Sequence, residues 1–522
     1  MNNLLNHAPI LIVAIPLLAA FLIPIVGKVN KKAEGITTTF ALGISLALTI
    51  ILAIKILSVG PQVYVFGAKS PSLTLPSGLK FPIRIMFEVD AMGIFMGLIT
   101  AIVSFLGAIY SLTFMGKYDG LDKYYSLLLL LTVGMFGMEF TGDIFNFFVF
   151  LEIASIASVA LISFRGTDLG EPAEAGFKYM VVSSISALMV LFAVGIFYGQ
   201  YDLLNFAAIA SVIKYSQLDK IALGLLVPVL AMKAGAVPMH MWTPDAYSEA
   251  PAPITMILVA ASQASLYALF RVTFSLYNIS LSTLTVGWVI IIFGLLSMFI
   301  GVTMAIIQKD IKRLMAYHAI SQTGYMLLGV GVGLAVLANP AALQKYGITA
   351  MEGGIFHIMN HAMYKGLLFL TAGALFYRTG TRDLNKMGGL AHSMKYTTIF
   401  FIIGAAAIAG LPPFNGFASK LLIYESVYRF NPLLSIIAMV VSILTLASFV
   451  KVFHSAFLGP KLPQFKEAKE VPRSMIFAMA ALSCIIIFFG LFPNLIVKNL
   501  VHPAVMSLIE QFKYTGTVLG GM

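Results

Sequence analysis

Cysteine and charge are what this chain of 522 residues lacks: it has one cysteine, Cys484, and 11% charged residues. A single thiol excludes disulfides and leaves no cluster to ligate zinc or iron–sulfur centres. Cys484 lies in an apolar run and reads as a small buried hydrophobe. Ordinary soluble domains carry about 25% charged residues. The shortfall excludes a solvated surface broad enough for nucleic acid. The net charge of +11 reads instead as topology signalling and contact with anionic lipid.

Apolar sequence takes the place of charge, with 59% of the residues hydrophobic. A bilayer-crossing helix needs roughly 20 apolar residues. Hydropathy places spans near 8–27, 36–57, 88–112, 123–140, 142–164, 173–199, 219–245, 251–277, 281–307, 311–337, 349–378, 396–428, 431–457 and 472–495. The first has no basic flank or small-residue cleavage site and is expected to be retained. No soluble domain fits between spans. The longest connection, Ser58–Met86, holds Gln62–Phe66, Ser72–Leu75 and Phe81–Ile85 between Pro and Gly residues and reads as a small extramembrane hairpin. The third span carries no readable chemistry, and 202–218 is expected to be an interfacial amphipathic helix.

Alternate connections carry most of the cations: Lys28, Lys31 and Lys32; Lys117 and Lys123; Arg165; Lys309, Lys312 and Arg313; Arg378, Arg382, Lys386 and Lys395; Lys461, Lys466, Lys469 and Arg473. The opposite set, which includes Lys69, Lys80 and Lys214, is sparser. The positive-inside rule makes the first set cytoplasmic and places both termini outside a multi-pass cell-membrane protein.

Against this pattern, Lys233 stands where a lysine rarely does, inside the apolar run Ile221–Val237. A charge at bilayer depth costs roughly 2.5–3.5 kcal/mol on insertion scales and by default marks an ion or proton path. Snorkelling to the interface is the plain alternative. Lys365 and Lys420 are equally deep, and so is the carboxylate of Glu152. A buried Glu and Lys on separate helices can share a proton-dependent pair. His357, His361 and Lys365 are spaced four apart and share one helix face. Imidazoles pass protons through either ring nitrogen, so the stripe suits a relay. Histidines bonded to helix carbonyls are the structural alternative. A metal site is disfavoured because no third ligand of matching softness stands nearby.

Proline breaks two of these spans. Pro238 follows Lys233, and Pro412 and Pro413 precede Lys420; neither run can continue a regular helix. Two broken helices five spans apart, each with a deep lysine, suggest a repeat that an odd offset inverts in the membrane. Interrupted helices in inverted repeats are typical of secondary transporters.

The stretches FNFFVFLEI, MKAGAVPMHMWTPDAYSEAPAPI, KRLMAYHAISQTGYM, FHIMNHAMYKGLLFLTAG and GLPPFNGFASK resemble the antiporter-like membrane subunits shared by respiratory complex I, Mrp-type sodium/proton antiporters and membrane-bound hydrogenase or sulfane reductase complexes. Phe145–Glu152 and the short carboxyl end look most like the D-type chain of Mrp antiporters and its membrane-bound hydrogenase counterpart. The resemblance implies an all-α polytopic fold of about fourteen transmembrane helices with two inverted five-helix repeats and no bound cofactor. The expected organisation is helices one to three with the hairpin (1–122), a first repeat (123–277), a second repeat (281–457), and a last helix and tail (458–522). It implies that Glu152 and Lys233 form a gating ion pair. Lys365 with His357 and His361 would be the central relay, and Lys420 the terminal proton donor or acceptor. The implied partners are other membrane subunits, the lipid bilayer, protons and, as a second candidate ion, Na+. Any redox centres would lie in other chains.

One position departs from the family pattern. Relatives often place a lysine eight residues before Arg271, where this chain has Gln263. Glutamine takes no proton at neutral pH, so the link there must use water, a neighbour, or nothing. His318, where relatives often have serine, offers a compensating titratable group, unless it merely reaches the interface. His240, just past Pro238, is a further relay candidate. A stand-alone solute permease and a passive scaffold are the competing readings. The first would need a polar cluster for its solute, and the second would have no reason to keep deep lysines.

Overall fold

The computed structural model describes residues 6–67, 72–74, 80–82, 84–165, 171–460, 462–465 and 467–519; Lys69, Leu75, Lys461 and Lys466 lie outside the described residues. A helix or a broken helix occupies every expected span. They are α1 (Ala8–Val29), α2 (Lys31–Val59), α3 (Ala91–Phe114), α4 (Leu121–Phe140), α5 (Ile144–Ile162) and α6 (Glu171–Tyr201). A short α7 (Phe206–Val212) precedes the first broken helix, α8 (Gln217–Lys233) with α9 (Trp242–Glu249). Then come α10 (Ala252–Phe270), α11 (Thr283–Ile306), α12 (Ile311–Ala335) and α13 (Ile348–Thr379). The second broken helix is α14 (Lys395–Ala409) with α15 (Asn415–Phe430), followed by α16 (Pro432–Ala456) and α17 (Arg473–Leu491).

Nine helices of the described residues are long and apolar enough to cross a membrane. The broken α8 and α14 and the polar-striped α12 and α13 are among those that fall short. The outer helices turn Phe21, Phe40, Leu188 and Ile443 outward, as lipid requires where no water competes for apolar side chains. In α12 and α13 nearly every residue is buried, so these two form the axis of the bundle.

The two breaks are built alike. Gly235 and Gly410 take positive φ of 77° and 80°, and each is followed three residues later by a cis-proline, Pro238 and Pro413. Five spans apart the chain also repeats one capping ladder. Asp143 caps α5 and bridges to Asn205, with Ile144 N donating to Leu204 O and Phe206 N to Gly142 O, both at 2.8 Å. Asp310 caps α12 and bridges to Asp383, with Ile311 N donating to Arg382 O at 3.0 Å and Leu384 N to Lys309 O at 2.9 Å. The ladders sit at opposite ends of the bundle, joining the connection before the second helix of each set to the one after its third. This is the arrangement that an inverted repeat produces.

Four local expectations differ from the structure. The hairpin region forms two ladders rather than one: β1 (Gln62–Val65) pairs antiparallel with β4 (Met86–Val89), and β2 (Ser72–Thr74) with β3 (Lys80–Pro82). The strand β4 takes residues expected in the third span, which starts at Ala91 because Asp90 caps it by accepting Gly93 N at 2.8 Å. Residues 202–218 do not lie free at an interface. Their helix α7 has only seven residues, and Phe206–Ile209 are buried. Cys484 is exposed on α17 rather than buried, on the face that also turns Phe477 and Phe488 outward. The tail past residue 491 is helical, ending in α18 (His502–Ile509) and α19 (Gln511–Leu519). It packs on α3, α7 and the end of the α10 segment, where Gln511 Nε2 donates to Ser275 O at 2.9 Å and Leu276 O at 3.0 Å.

Close backbone approach fixes the second break. A Cβ on Gly416 would lie 1.8 Å from Ala407 O, and one on Gly490 would lie 2.0 Å from Pro413 O. Overpacking of this kind costs about 1–3 kcal/mol. Gly416→Ala is therefore expected to lower the apparent thermal midpoint of the purified protein, whereas the same change at Gly224, which has open space around it within a helix, does not lower it. Equal midpoints for the two variants would contradict this packing.

Candidate functional site

Lys233 ends α8, and its ammonium turns inward to three hydroxyls: Ser155 Oγ at 2.8 Å, Ser183 Oγ at 3.0 Å and Tyr179 OH at 3.1 Å. The direct pair with Glu152 expected from the sequence is absent. Glu152 stays within electrostatic range of Lys233, but its Oε1 is buried without a protein partner. The reason is chemical. Ser155 lies one turn beyond Glu152 on α5, and its hydroxyl accepts from the ammonium without the desolvation cost of a second buried charge. A void of about 10 Å³, the size of one water, adjoins Lys233 and is lined by Met138, Ser158, Ser262 and Ser265.

From there α10 leads to the centre. Ser262 accepts from Tyr247 OH at 2.9 Å. Its neighbour Gln263 donates its amide to His361 Nδ1 at 2.6 Å and to Ile358 O at 3.1 Å. The position that departs from the family pattern is thus a hydrogen-bonded joint to the histidine stripe. Because Nδ1 accepts, the proton of the neutral His361 ring sits on Nε2, which has no protein partner, like Gln263 Oε1. Buried polar atoms of this kind are normally satisfied by ordered water. His357 meets Ser419 Oγ at 2.9 Å through Nδ1, and Gln322 Oε1 at 3.2 Å and Tyr364 OH at 3.1 Å through Nε2. Lys365 is fully buried and donates to Met315 O at 2.5 Å.

Lys420 shows why its helix is broken. In a regular helix the carbonyls of Ile408 and Ala409 would accept from residues 412 and 413, which are both proline and have no N–H. Lys420 Nζ takes Ile408 O at 2.7 Å and Ser442 Oγ at 3.0 Å, while Ser442 donates to Ala409 O at 2.9 Å. Ile408 stands two residues before Gly410, as Lys233 stands two before Gly235. The two lysines approach their breaks from opposite sides of the chain, yet each places its amine within the interior beside a broken helix. Each also lies over a tyrosine ring, Tyr179 for Lys233 at 4.8 Å and Tyr325 for Lys420 at 4.7 Å.

His318 is fully buried and bonds Ser448 Oγ at 2.8 Å through Nε2. It does not reach an interface. The cations that act on it electrostatically are Lys365, Lys420 and Lys451. His240 stands apart: half-buried in the first break, it contacts Pro238 O at 3.3 Å. Pro238, Pro412 and Pro413 are exposed. Among the described residues no group of three His, Cys, Asp or Glu is placed to hold a metal, and Lys233, Lys365 and Lys420 make no ion pair.

A second buried network escaped the sequence. Arg271 pairs with Asp90, donates from Nε to Tyr267 OH at 2.9 Å, and lies over the Tyr514 ring at 5.3 Å. Tyr267 OH donates to Glu139 O at 2.9 Å, and Glu139 accepts from Thr100 of the third span at 2.7 Å. The available signal was charge at span boundaries, Glu88, Asp90 and Glu139, which hydropathy assigns to the interface.

A family profile described as "NADH:quinone oxidoreductase/Mrp antiporter, TM" matches residues 141–445, a stretch that includes both breaks. The chain is 30% identical over 526 residues to the N-type chain of the NADH-quinone oxidoreductase of Desulforudis audaxviator, covering 95% of this chain and 98% of that one. It is 30% identical over 522 residues to the D-type chain of the Na(+)/H(+) antiporter of Bacillus subtilis, covering 99% and 100%. Among solved structures, a chain of the Mrp complex from Dietzia superposes with a TM-score of 0.87 at 25% identity, covering 99% of this chain and 100% of that one.

Among the described residues, Ser442 is the one side chain that both receives Lys420 and covers a carbonyl freed by proline. Leaving such groups unsatisfied costs about 1–3 kcal/mol. Ser442→Ala is expected to lower the apparent thermal midpoint, and Ser442→Thr to restore it. An unchanged midpoint in Ser442→Ala would show that the break does not depend on this bond.

Proposed function

Because the chain belongs to the NADH:quinone oxidoreductase/Mrp antiporter transmembrane family, we propose that it is a proton-translocating membrane subunit of a multi-subunit complex. One observation carries the reading. Three buried lysines, at two helix breaks and on the central helix, are held only by hydroxyls and backbone carbonyls. Such neutral acceptors hold an amine in either protonation state, since a free amine still carries two N–H donors for them. A scaffold gains nothing from three uncompensated amines, each costly at membrane depth. A solute permease would need more room than the water-sized void beside Lys233.

The path we propose runs from Glu152 and Lys233 through Ser262 and Gln263 to His361, His357 and Lys365, then past His318 to Lys420. Gln263 carries no proton itself; its carbonyl and His361 Nε2 offer the two ends of a water bridge. The proton is the primary ion because the interior groups are amines and imidazoles, which bind protons and repel cations such as Na+. Other membrane subunits are the partners. The basic connections, with Arg313 and Arg382 at the end that carries the Asp310 ladder, support a cytoplasmic assignment for that end and an outside one for both termini.

The test uses the intact complex, purified through this chain and reconstituted into vesicles, with proton flux followed by an internal pH dye. Lys365→Met keeps side-chain length and removes the titratable charge; it is expected to reduce flux by about a hundredfold or more, the usual weight of a positioned proton-transfer group. His357→Ala and His361→Ala should lose less, because water replaces an imidazole in part. Glu152→Gln should abolish flux while the complex still assembles. Wild-type flux in Lys365→Met would overturn the reading.

At the joint, Gln263→Lys keeps a donor for both His361 Nδ1 and Ile358 O and should retain flux. Gln263→Leu removes both and should lose at least about tenfold, since each buried hydrogen bond lost costs about 1–3 kcal/mol. His318→Ala should also impair flux. If Gln263→Leu and His318→Ala both match wild type, neither residue lies on the path.

A further inference from the structure

At the end of the bundle that carries the termini, β4 sets Glu88 between two cavities. On one side is a cleft of about 310 Å³ between the end of α2, β1 and the carboxy-terminal helices, lined by Glu88, Asp90, Ser507, Glu510, Lys513 and Tyr514. On the other side is a void of about 10 Å³, lined by Glu88, Met138, Thr141, Tyr267, Arg271 and Tyr514. Met138 in turn lines the void beside Lys233. The three spaces therefore follow one another through shared lining residues, Glu88 and Tyr514 between the first two and Met138, a flexible side chain, between the second and third.

Glu88 is 5% exposed, and its carboxyl is held on both oxygens: Asn205 Nδ2 donates to Oε1 at 2.6 Å and Tyr514 OH to Oε2 at 2.5 Å. Gly142 backs it so closely that a Cβ there would lie 2.0 Å from Glu88 Cδ. The charged groups around it are Arg271 and Asp90, which pair with each other, and, from the carboxy-terminal helices along the cleft, Glu510 and Lys513. Asp90 Oδ2 is buried without a protein partner. No part of the path from Lys233 to Lys420 uses this assembly. A structural carboxylate would be expected to pair with the arginine beside it, yet Arg271 pairs with Asp90 and leaves Glu88 with two neutral donors.

We propose that Glu88 is the proton-exchange group at this mouth of the path, loading and releasing protons between the cleft and the void behind it, with α19 as the flap that holds its carboxylate through Tyr514. The inference rests on the proton-translocation reading. The step is a proton transfer only: a hydronium in the cleft gives its proton to Oε2 and becomes water as the Tyr514 hydroxyl turns away, and the proton then passes to a water in the void on its Tyr267 side. Burial pushes the Glu88 carboxyl up to about 7, against the downward pull of the Tyr514 and Asn205 hydrogen bonds and of Arg271. The group therefore exchanges protons near neutral pH. Removing the Tyr514 hydroxyl removes a bond that favours the carboxylate, so the titration moves to higher pH.

Two measurements on the reconstituted complex test this. The first is proton flux as a function of pH for wild type, Glu88→Gln and Tyr514→Phe. The second is pH-difference infrared spectroscopy of the carboxyl stretch, which needs no transport. Glu88→Gln is expected to cut flux at least about tenfold and to abolish a carboxyl band that titrates near neutrality in wild type. Tyr514→Phe should keep flux at low pH and move its midpoint and the band upward by about one unit. Wild-type flux in Glu88→Gln, or an unmoved midpoint in Tyr514→Phe, would overturn the inference and leave the Lys233–Lys420 path standing. If Glu88→Gln does not assemble, Tyr514→Phe decides, since it keeps the carboxylate. Absence of flux in the wild-type complex, with the Glu88 band present, would instead sink the translocation reading on which the proposal rests.

Discussion

The bond from the Lys420 ammonium to the Ile408 carbonyl is the interaction on which the rest of this architecture turns. A bilayer interior offers no water to a charged amine and no partner to a backbone carbonyl that has lost its helix. Either group alone would be expensive. Consecutive prolines expose two carbonyls, and Lys420 with Ser442 covers both. The break and the buried amine each satisfy the other, so neither can be changed without a cost to its partner. No fixed anion enters this arrangement. The proton on the amine is therefore not locked by an ion pair.

The same economy governs the first break, with different donors. Lys233 is held by hydroxyls from α5 and α6, and the Trp242 indole covers the Met232 carbonyl at 2.9 Å. Between the breaks, α12 and α13 cross the bundle almost wholly buried and carry the histidines. Asn360 and Asn415 exchange bonds at 3.0 Å, tying α13 to the start of α15. Movement at one break would thus be felt along the central helix. The Asp143 and Asp310 ladders brace opposite ends of the bundle.

Much of this was legible in the sequence, for a definite reason. An apolar run makes a deep lysine or a proline pair conspicuous, so Lys233, Lys365, Lys420, Pro238 and Pro412–Pro413 all stood out, as did the four-residue spacing of His357, His361 and Lys365. Contacts were a different matter. Serine and tyrosine hydroxyls leave no mark in hydropathy, so the hydroxyl cradle of Lys233 was read as an ion pair with Glu152. The joint between Gln263 and His361 links residues nearly a hundred positions apart, and nothing in the sequence pairs His318 with Ser448. The network of Glu88, Asp90, Glu139 and Arg271 was hidden because boundary charges look solvated until the tail helix closes over them. The tail itself, short and weakly patterned, gave no sign of packing back on α3.

The central claim is that the buried amines gain and lose protons as the protein works. It can be examined directly by ¹⁵N-lysine solid-state NMR of the intact complex in bilayers, with Lys233, Lys365 and Lys420 assigned by single Lys→Met variants. Under turnover the account predicts that at least one of the three resonances moves reversibly between ammonium and amine positions, and that Lys365→Met suppresses the change at the other two. Three resonances that remain ammonium, unshifted between rest and turnover while protons cross the membrane, would contradict it.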